Sequence, residues 1–144
     1  MSSSSPTAGF LPADLQSAYQ LPTAPAGFGQ TVALVDAYDD PSAASDLAVY
    51  RSQFGLPHAP PQTAASERSN QFGGTTSLPS SVSWGQEISV DLDMGSAVCR
   101  DRHILLVEAQ SASISDLGTA VNEAATAPLD YVVAGAQVLT INIK

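Results

Sequence analysis

Two carboxylates four residues apart, Glu87 and Asp91 in the stretch "WGQEISVDLDMG" from Trp84 to Gly95, are the clearest candidates for chemistry in this chain. On a helix the two share one face. Exposed there, they repel by only a few tenths of a kcal/mol and are plain solvated surface. Inside a cleft the repulsion grows and pushes one pKa upward, which produces a usable general acid or base. The same stretch alternates as a strand does, with Ile88, Val90, Leu92 and Met94 on one side and Glu87, Ser89, Asp91 and Asp93 on the other. Gly85, Gly95 and the β-branched Ile88 and Val90 weaken the helix. The residues alone leave both readings open.

Asp36 is the next candidate, because it ends an otherwise apolar run, and α/β proteins place their sites at the carboxyl ends of parallel strands. It serves equally well as a carboxylate capping the turn or helix that follows. Asp39, Asp40 and Asp46 read as helix N-terminal charge and solvated surface. Cys99 reads as a small buried apolar residue; as a nucleophile it would need a base, and His103 is the nearby one. His58 and His103 have no partner at ligand spacing, so no zinc site is expected. The chain has no GxGxxG after a strand and no P-loop, and "FGGTTS" reads as a glycine pair in a hairpin-like loop.

Positioning such groups requires elements, and the sequence supplies them. "TVALVDAY", Thr31 to Tyr38, is a strand buried on both faces. Pro41 opens a helix whose apolar stripe is Ala43, Leu47, Tyr50 and Phe54, stopped by Gly55 and Pro57. Leu56 to Ser83, rich in Pro, Ser, Thr and Gly, reads as loop or short hairpin. "HILLVEA", His103 to Ala109, is a second core strand, followed by a helix capped by Ser113 or Ser115, with Leu117, Val121 and Ala124 or Ala125 inward. "AGAQVLTINI" is a third strand. Strands separated by helices predict an α/β fold with a parallel sheet and crossover helices.

Composition narrows the partners. The 144 residues carry a formal charge of −9 with Arg51, Arg68, Arg100, Arg102 and Lys144 as the cations. That balance argues against nucleic acid and anionic membrane surfaces, which call for clustered Lys and Arg. No apolar run approaches the roughly 20 residues of a membrane span. A single cysteine forms no internal disulfide. The opening "MSSSSPTAGF" lacks the basic and apolar regions of a secretion signal, and residues 1–8 read as a flexible lead-in.

Taken in order, "GFLPADLQSAYQLP", "GQTVALVDAYDDPSAASDLAVYRSQFGLP", "GGTTSLP", "WGQEISVDLDM" and "ILLVEAQSASISDLGTAVNEA" resemble the sedolisins, the serine-carboxyl peptidases. The likeness runs from about Gly9 to Ala125. It implies a subtilisin-like α/β fold in which a glutamate replaces the usual histidine, so that the enzyme works in acid. By that resemblance "EISVD" lies on a helix, Glu87 is the general base toward a serine, and Asp91 orients it. Asp36 would support the glutamate through hydrogen bonding, and Trp84 sits just before the catalytic helix.

The sequence also departs from the family. The Gly-Thr-Ser that carries the nucleophile is absent, and "GGTTS" at Gly73 to Ser77 belongs to the early loop. The oxyanion aspartate and the calcium-binding segment of the family lie further toward the C-terminus than Lys144. "SAVCRDRH" and "VLTINIK" stand where the family has a Pro-Gly turn and a Ser-rich strand end. The expectation is a truncated domain over residues 9–144, inactive alone, with peptide or protein as substrate and a complementing C-terminal chain as possible partner. The family likeness points to an extracellular setting. The alternative expectation is a non-catalytic binding or interaction module on a peptidase scaffold.

Overall fold

The computed structural model describes residues 9–21, 31–56, 67–126 and 137–141. In chain order the elements are α1 (Pro12–Ala18), β1 (Thr31–Ala37), α2 (Ala43–Gln53), β2 (Glu67–Asn70), α3 (Val82–Val98), β3 (His103–Ala109), α4 (Ile114–Thr126) and β4 (Gln137–Ile141). The four strands form one sheet in the order β2-β3-β1-β4, every pair parallel. The protein is therefore an α/β fold, a parallel sheet with crossover helices. None of the described helices is long and apolar enough to cross a membrane.

The central pair explains the apolar runs. β1 and β3 lie in register from Thr31↔His103 to Ala37↔Ala109, and every residue of β1 is buried. Successive side chains alternate between the two faces. Val32, Leu34, Ile104 and Leu106 meet Ala43 and Leu47 of α2 and Ile88 and Leu92 of α3. Ala33, Val35, Leu105 and Val107 meet Leu117, Ala120 and Ala124 of α4 on the other face. Each helix offers one stripe to the sheet.

The helix ends follow local chemistry. Ser113 Oγ accepts the Asp116 amide at 3.1 Å, so Ser113 rather than Ser115 caps α4. Ala124 is buried and Ala125 is exposed. Along α2, Ala43 and Leu47 are buried, while Tyr50 and Phe54 are half-buried, their rings 4.7 Å apart and tilted by 56°. Gly55 leaves the helix at a φ of 60°, a conformation glycine adopts freely. Gly118, inside α4, has ordinary φ and open space where a Cβ would sit. Gly118→Ala is expected to raise stability by about 1 kcal/mol, the difference in helix propensity, as read by urea denaturation.

The "WGQEISVDLDMG" stretch is helical throughout. Ile88 and Leu92 are buried with Trp84 and Ser96, one turn apart each, whereas Val90 and Met94 are 56% and 39% exposed. The perfect alternation is a coincidence of one window. Gly95 lets this helix approach the sheet: a Cβ there would stand 3.4 Å from Leu34 Cδ1.

One expectation needs correction. The segment Leu56 to Ser83 is not all loop or hairpin, because Glu67–Asn70 is an edge strand running parallel to β3, and α3 has already begun at Val82. Strand β2 carries no apolar residue, so no hydrophobic period announces it. A short helix, α1, precedes β1, and Gln16 Nε2 ties it to the Ala97 carbonyl at 3.0 Å. The third expected strand is found as Gln137–Ile141 beside β1, with a register irregularity between Ala33 and Leu34. Its flanking residues, His58, Pro57 and the lead-in at 1–8 lie outside the described residues.

Candidate functional site

The chain leaves β1 for α2 on one face of the sheet and leaves β3 for α4 on the other. Between such strands the carboxyl ends open into a crevice, the place where α/β sheets bind and react. Asp36 and Glu108 are cross-strand partners at that point, and Asn70 of β2 is the next partner of Glu108. By alternation both acids share the face of Leu34 and Leu106, the face covered by α2 and α3. Asp36 is 0% and Glu108 3% exposed.

Helix α3 crosses this face antiparallel to β1. Gly95 packs on Leu34, and Gly85, ten residues earlier, packs 3.8 Å (as a built Cβ) from Asp40 Cγ. Glu87 and Asp91 lie on the turns of α3 between those two anchors. Both acids lie half-buried on the flank of the Trp84–Ile88–Leu92 stripe. Trp84 reaches over the sheet end into the cluster on the α4 side and leans on Tyr38, with ring centroids 6.3 Å apart and planes tilted by 50°. Thus Asp36 lies buried at the end of β1, and Trp84, Glu87 and Asp91 lie on the helix that covers its face.

The turn after β1 is held in an uncommon conformation. Tyr38 has φ 67°, which a bulky side chain rarely adopts. Its amide donates to the Ala109 carbonyl at 2.7 Å, and the Asp39 amide donates to Pro79 at 3.0 Å. These two contacts hold the turn in place.

Asp39 and Asp40 are not solvated surface as expected. They are 4% and 7% exposed. Arg68, from β2, pairs with the Asp39 carboxylate, donates to Glu108 Oε2 at 3.1 Å and to the Asp40 carbonyl at 3.0 Å. The Asp40 amide donates to Glu108 Oε1 at 3.1 Å. Asp40 also does the helix-terminal work foreseen for it: its Oδ1 accepts from the Ser42 amide and hydroxyl. Asp46 is exposed and accepts from Ser42 Oγ. Burial pushes the Glu108 carboxyl up to about 7, against the Asp40 amide and Arg68, which pull it down. Sequence reasoning missed Glu108 and Arg68. One signal was present: "TVALVDA" and "HILLVEA" each place an acid sixth in an apolar strand.

Asp93 was also missed as a titrating group. It lies between α3 and α2, where burial and then the Asp46 charge raise it to about 6. Burial, with Asp93 beside it, raises Tyr50 as well.

The remaining candidates take structural roles. Cys99 packs in the apolar cluster under α3, and burial raises its thiol, the reverse of what a nucleophile needs. "FGGTTS" wraps around Asn70, whose Oδ1 accepts the Phe72 and Gly74 amides at 2.9 and 3.1 Å and whose Nδ2 donates to the Thr76 carbonyl at 3.1 Å. Those amides turn inward rather than toward a phosphate, and the loop leaves a strand parallel to β3, so it is no hairpin. Among the described residues no group of three or more His, Cys, Asp or Glu is placed to hold a metal ion.

Two clefts flank the Arg68 network. One, of about 340 Å³, is lined by Asp39, Asp40, Ser80, Gly85 and Gln86 among others. The other, of about 300 Å³, lies between Arg68, Glu108 and the Gly74–Ser77 loop. No family model matches this chain, and none of the curated proteins matches it significantly.

Proposed function

We propose that this chain carries the glutamate–aspartate half of a sedolisin-type serine-carboxyl endopeptidase site, on a subtilisin-like sheet. In this reading Glu87 is the general base that takes the proton of an attacking serine, and Asp91 orients Glu87. Asp36 supports the pair from the end of β1, and Trp84 walls the crevice against Tyr38. The observation that supports the reading is that Glu87 and Asp91 lie half-buried four residues apart on α3, the helix that covers the sheet face Asp36 shares. A carboxylate base stays deprotonated in mild acid where imidazole is already protonated, so the chemistry suits an acidic, extracellular setting. The 144 residues contain no Gly-Thr-Ser. The serine and the oxyanion aspartate therefore come from further sequence or from a second chain.

The test is complementation. The chain mixed with a sedolisin C-terminal segment bearing Gly-Thr-Ser is expected to cleave peptides with an acid optimum, and Glu87→Gln is expected to abolish the cleavage. Turnover indifferent to Glu87→Gln would refute the assignment.

One observation favours the second reading, a binding module on the same scaffold. Ser89, the serine nearest Glu87 in sequence, donates its hydroxyl to the Gly85 carbonyl at 2.9 Å, so it is committed to its own helix. Peptide binding that survives Glu87→Gln, with no cleavage in any mixture, would select that reading.

A further inference from the structure

One carboxylate holds three segments of the crevice together. Glu108 Oε1 accepts the Asp40 amide of the β1–α2 turn, and Oε2 accepts Arg68 of β2, while Glu108 itself ends β3. Arg68 closes the ring by pairing with Asp39 and by donating to the Asp40 carbonyl. The Glu108 side chain is nearly sealed from water, whereas Arg68 keeps a quarter of its side chain exposed.

We propose that Glu108 is the positioning residue of this crevice: ionised, it clamps the Tyr38–Asp40 turn to the end of β2, and protonated, it releases Arg68. An ionised carboxylate accepts at both oxygens, while a carboxylic acid has a donor on one of them. Protonation removes the negative charge that pairs with Arg68, and a proton on Oε2 would face a guanidinium with no acceptor capacity, so that contact is loosened. The Asp40 amide then faces a neutral acceptor, and such hydrogen bonds are roughly half as strong.

The charged surroundings make the clamp sensitive. Asp36 stands beside Glu108 across the β1–β3 ladder, Asp39 and Asp40 lie in the turn, and Arg68 is the local cation. Helix α3, on the same face, adds Glu87 and Asp91; Asp93 turns instead toward Asp46 and Tyr50 of α2. Burial holds the Glu108 carboxyl at about 7, so the release falls between neutral and mildly acidic conditions. The inference concerns the geometry of the crevice and stands apart from the peptidase reading.

Backbone ¹H–¹⁵N spectra of the chain, recorded from about pH 5 to pH 9 around the displaced carboxyl, test it. The Asp40 amide is expected to move through one transition centred near 7 and to lose that transition in Glu108→Gln. Arg68→Gln removes the charge that pulls the carboxyl down, so the midpoint is expected to rise by about one unit. Asp39→Asn removes a charge that pushes it up, so the midpoint is expected to fall. The two opposed shifts decide the matter even if Glu108→Gln does not fold. An Asp40 amide that stays still in the native chain, a transition that persists in Glu108→Gln, or midpoints that move together in the other two variants would each overturn the proposal.

Discussion

The purified 144-residue chain is expected to leave a mixed peptide library uncut at every pH from about 3 to 8, a range that brackets the ordinary glutamate pKa of about 4.3. A carboxylate base needs a hydroxyl within hydrogen-bond reach, and the sequence has no Gly-Thr-Ser to supply one. Ser89 is bound to its own helix, and Ser77 and Ser115 belong to the Asn70 loop and to the first turn of α4. Without an oxyanion donor the tetrahedral intermediate loses a further 3–4 kcal/mol or so. Mass spectrometry of the library after long incubation reads the outcome. Acid-optimal cleavage that vanishes in Glu87→Gln would show a complete site within these residues and would overturn the half-site reading.

Arg68→Met is expected to destabilise the fold by about 3 kcal/mol near pH 8, and by clearly less near pH 5. Removing the guanidinium strands Asp39 and Glu108, both buried, without their cation. Breaking a buried pair costs about 3–5 kcal/mol, and the partial exposure of Arg68 places this case at the lower end. The pH dependence follows from the direction of the Glu108 shift. Its folded pKa, about 7, lies above its ordinary 4.5, so between those values the folded state binds more protons than the unfolded one. Stability is therefore greatest below that window and falls as pH rises through it. Asp93, raised from 3.8 to about 6, acts in the same direction. The native chain should thus unfold at higher urea in mild acid than at neutral pH. In Arg68→Met the neutral-side deficit deepens, because Glu108 is then charged without a counter-ion. Equal losses at both pH values would refute this account.

The two central strands were legible because burial on both faces leaves an uninterrupted apolar run, and "TVALVDA" and "HILLVEA" have it. Helices α2 and α4 were legible from their stripes and stops. Strand β2 was not, since four polar residues at a sheet edge are held by their ladder to β3 and by the Asn70 side chain rather than by a hydrophobic face. Helix α3 stood undecided on residues alone, because its buried stripe at every fourth position overlaps a period of two. What separates the two is the exposure of Val90 and Met94, the residues that a period of two would bury. The candidate site divides in the same way. Asp36, Trp84, Glu87 and Asp91 were named from local pattern and resemblance; Asp36 ends a buried strand and the other three lie on the helix over its face. Asp39, Asp40 and Glu108 depend on Arg68, 28 to 40 residues distant in sequence, and no local pattern encodes such a partner.

The lone cysteine has a use that its chemistry does not advertise. Cys99 closes α3 beneath the sheet, sealed among Leu34, Leu47 and Ile104. A thiol reagent must wait for that corner to open, so the rate of modification counts the openings. Compared with the rate for the unfolded chain, it gives the free energy of the local excursion rather than of global unfolding. The protein thus holds a native probe of how often the helix bearing Glu87 and Asp91 lifts from the sheet, readable with no label introduced.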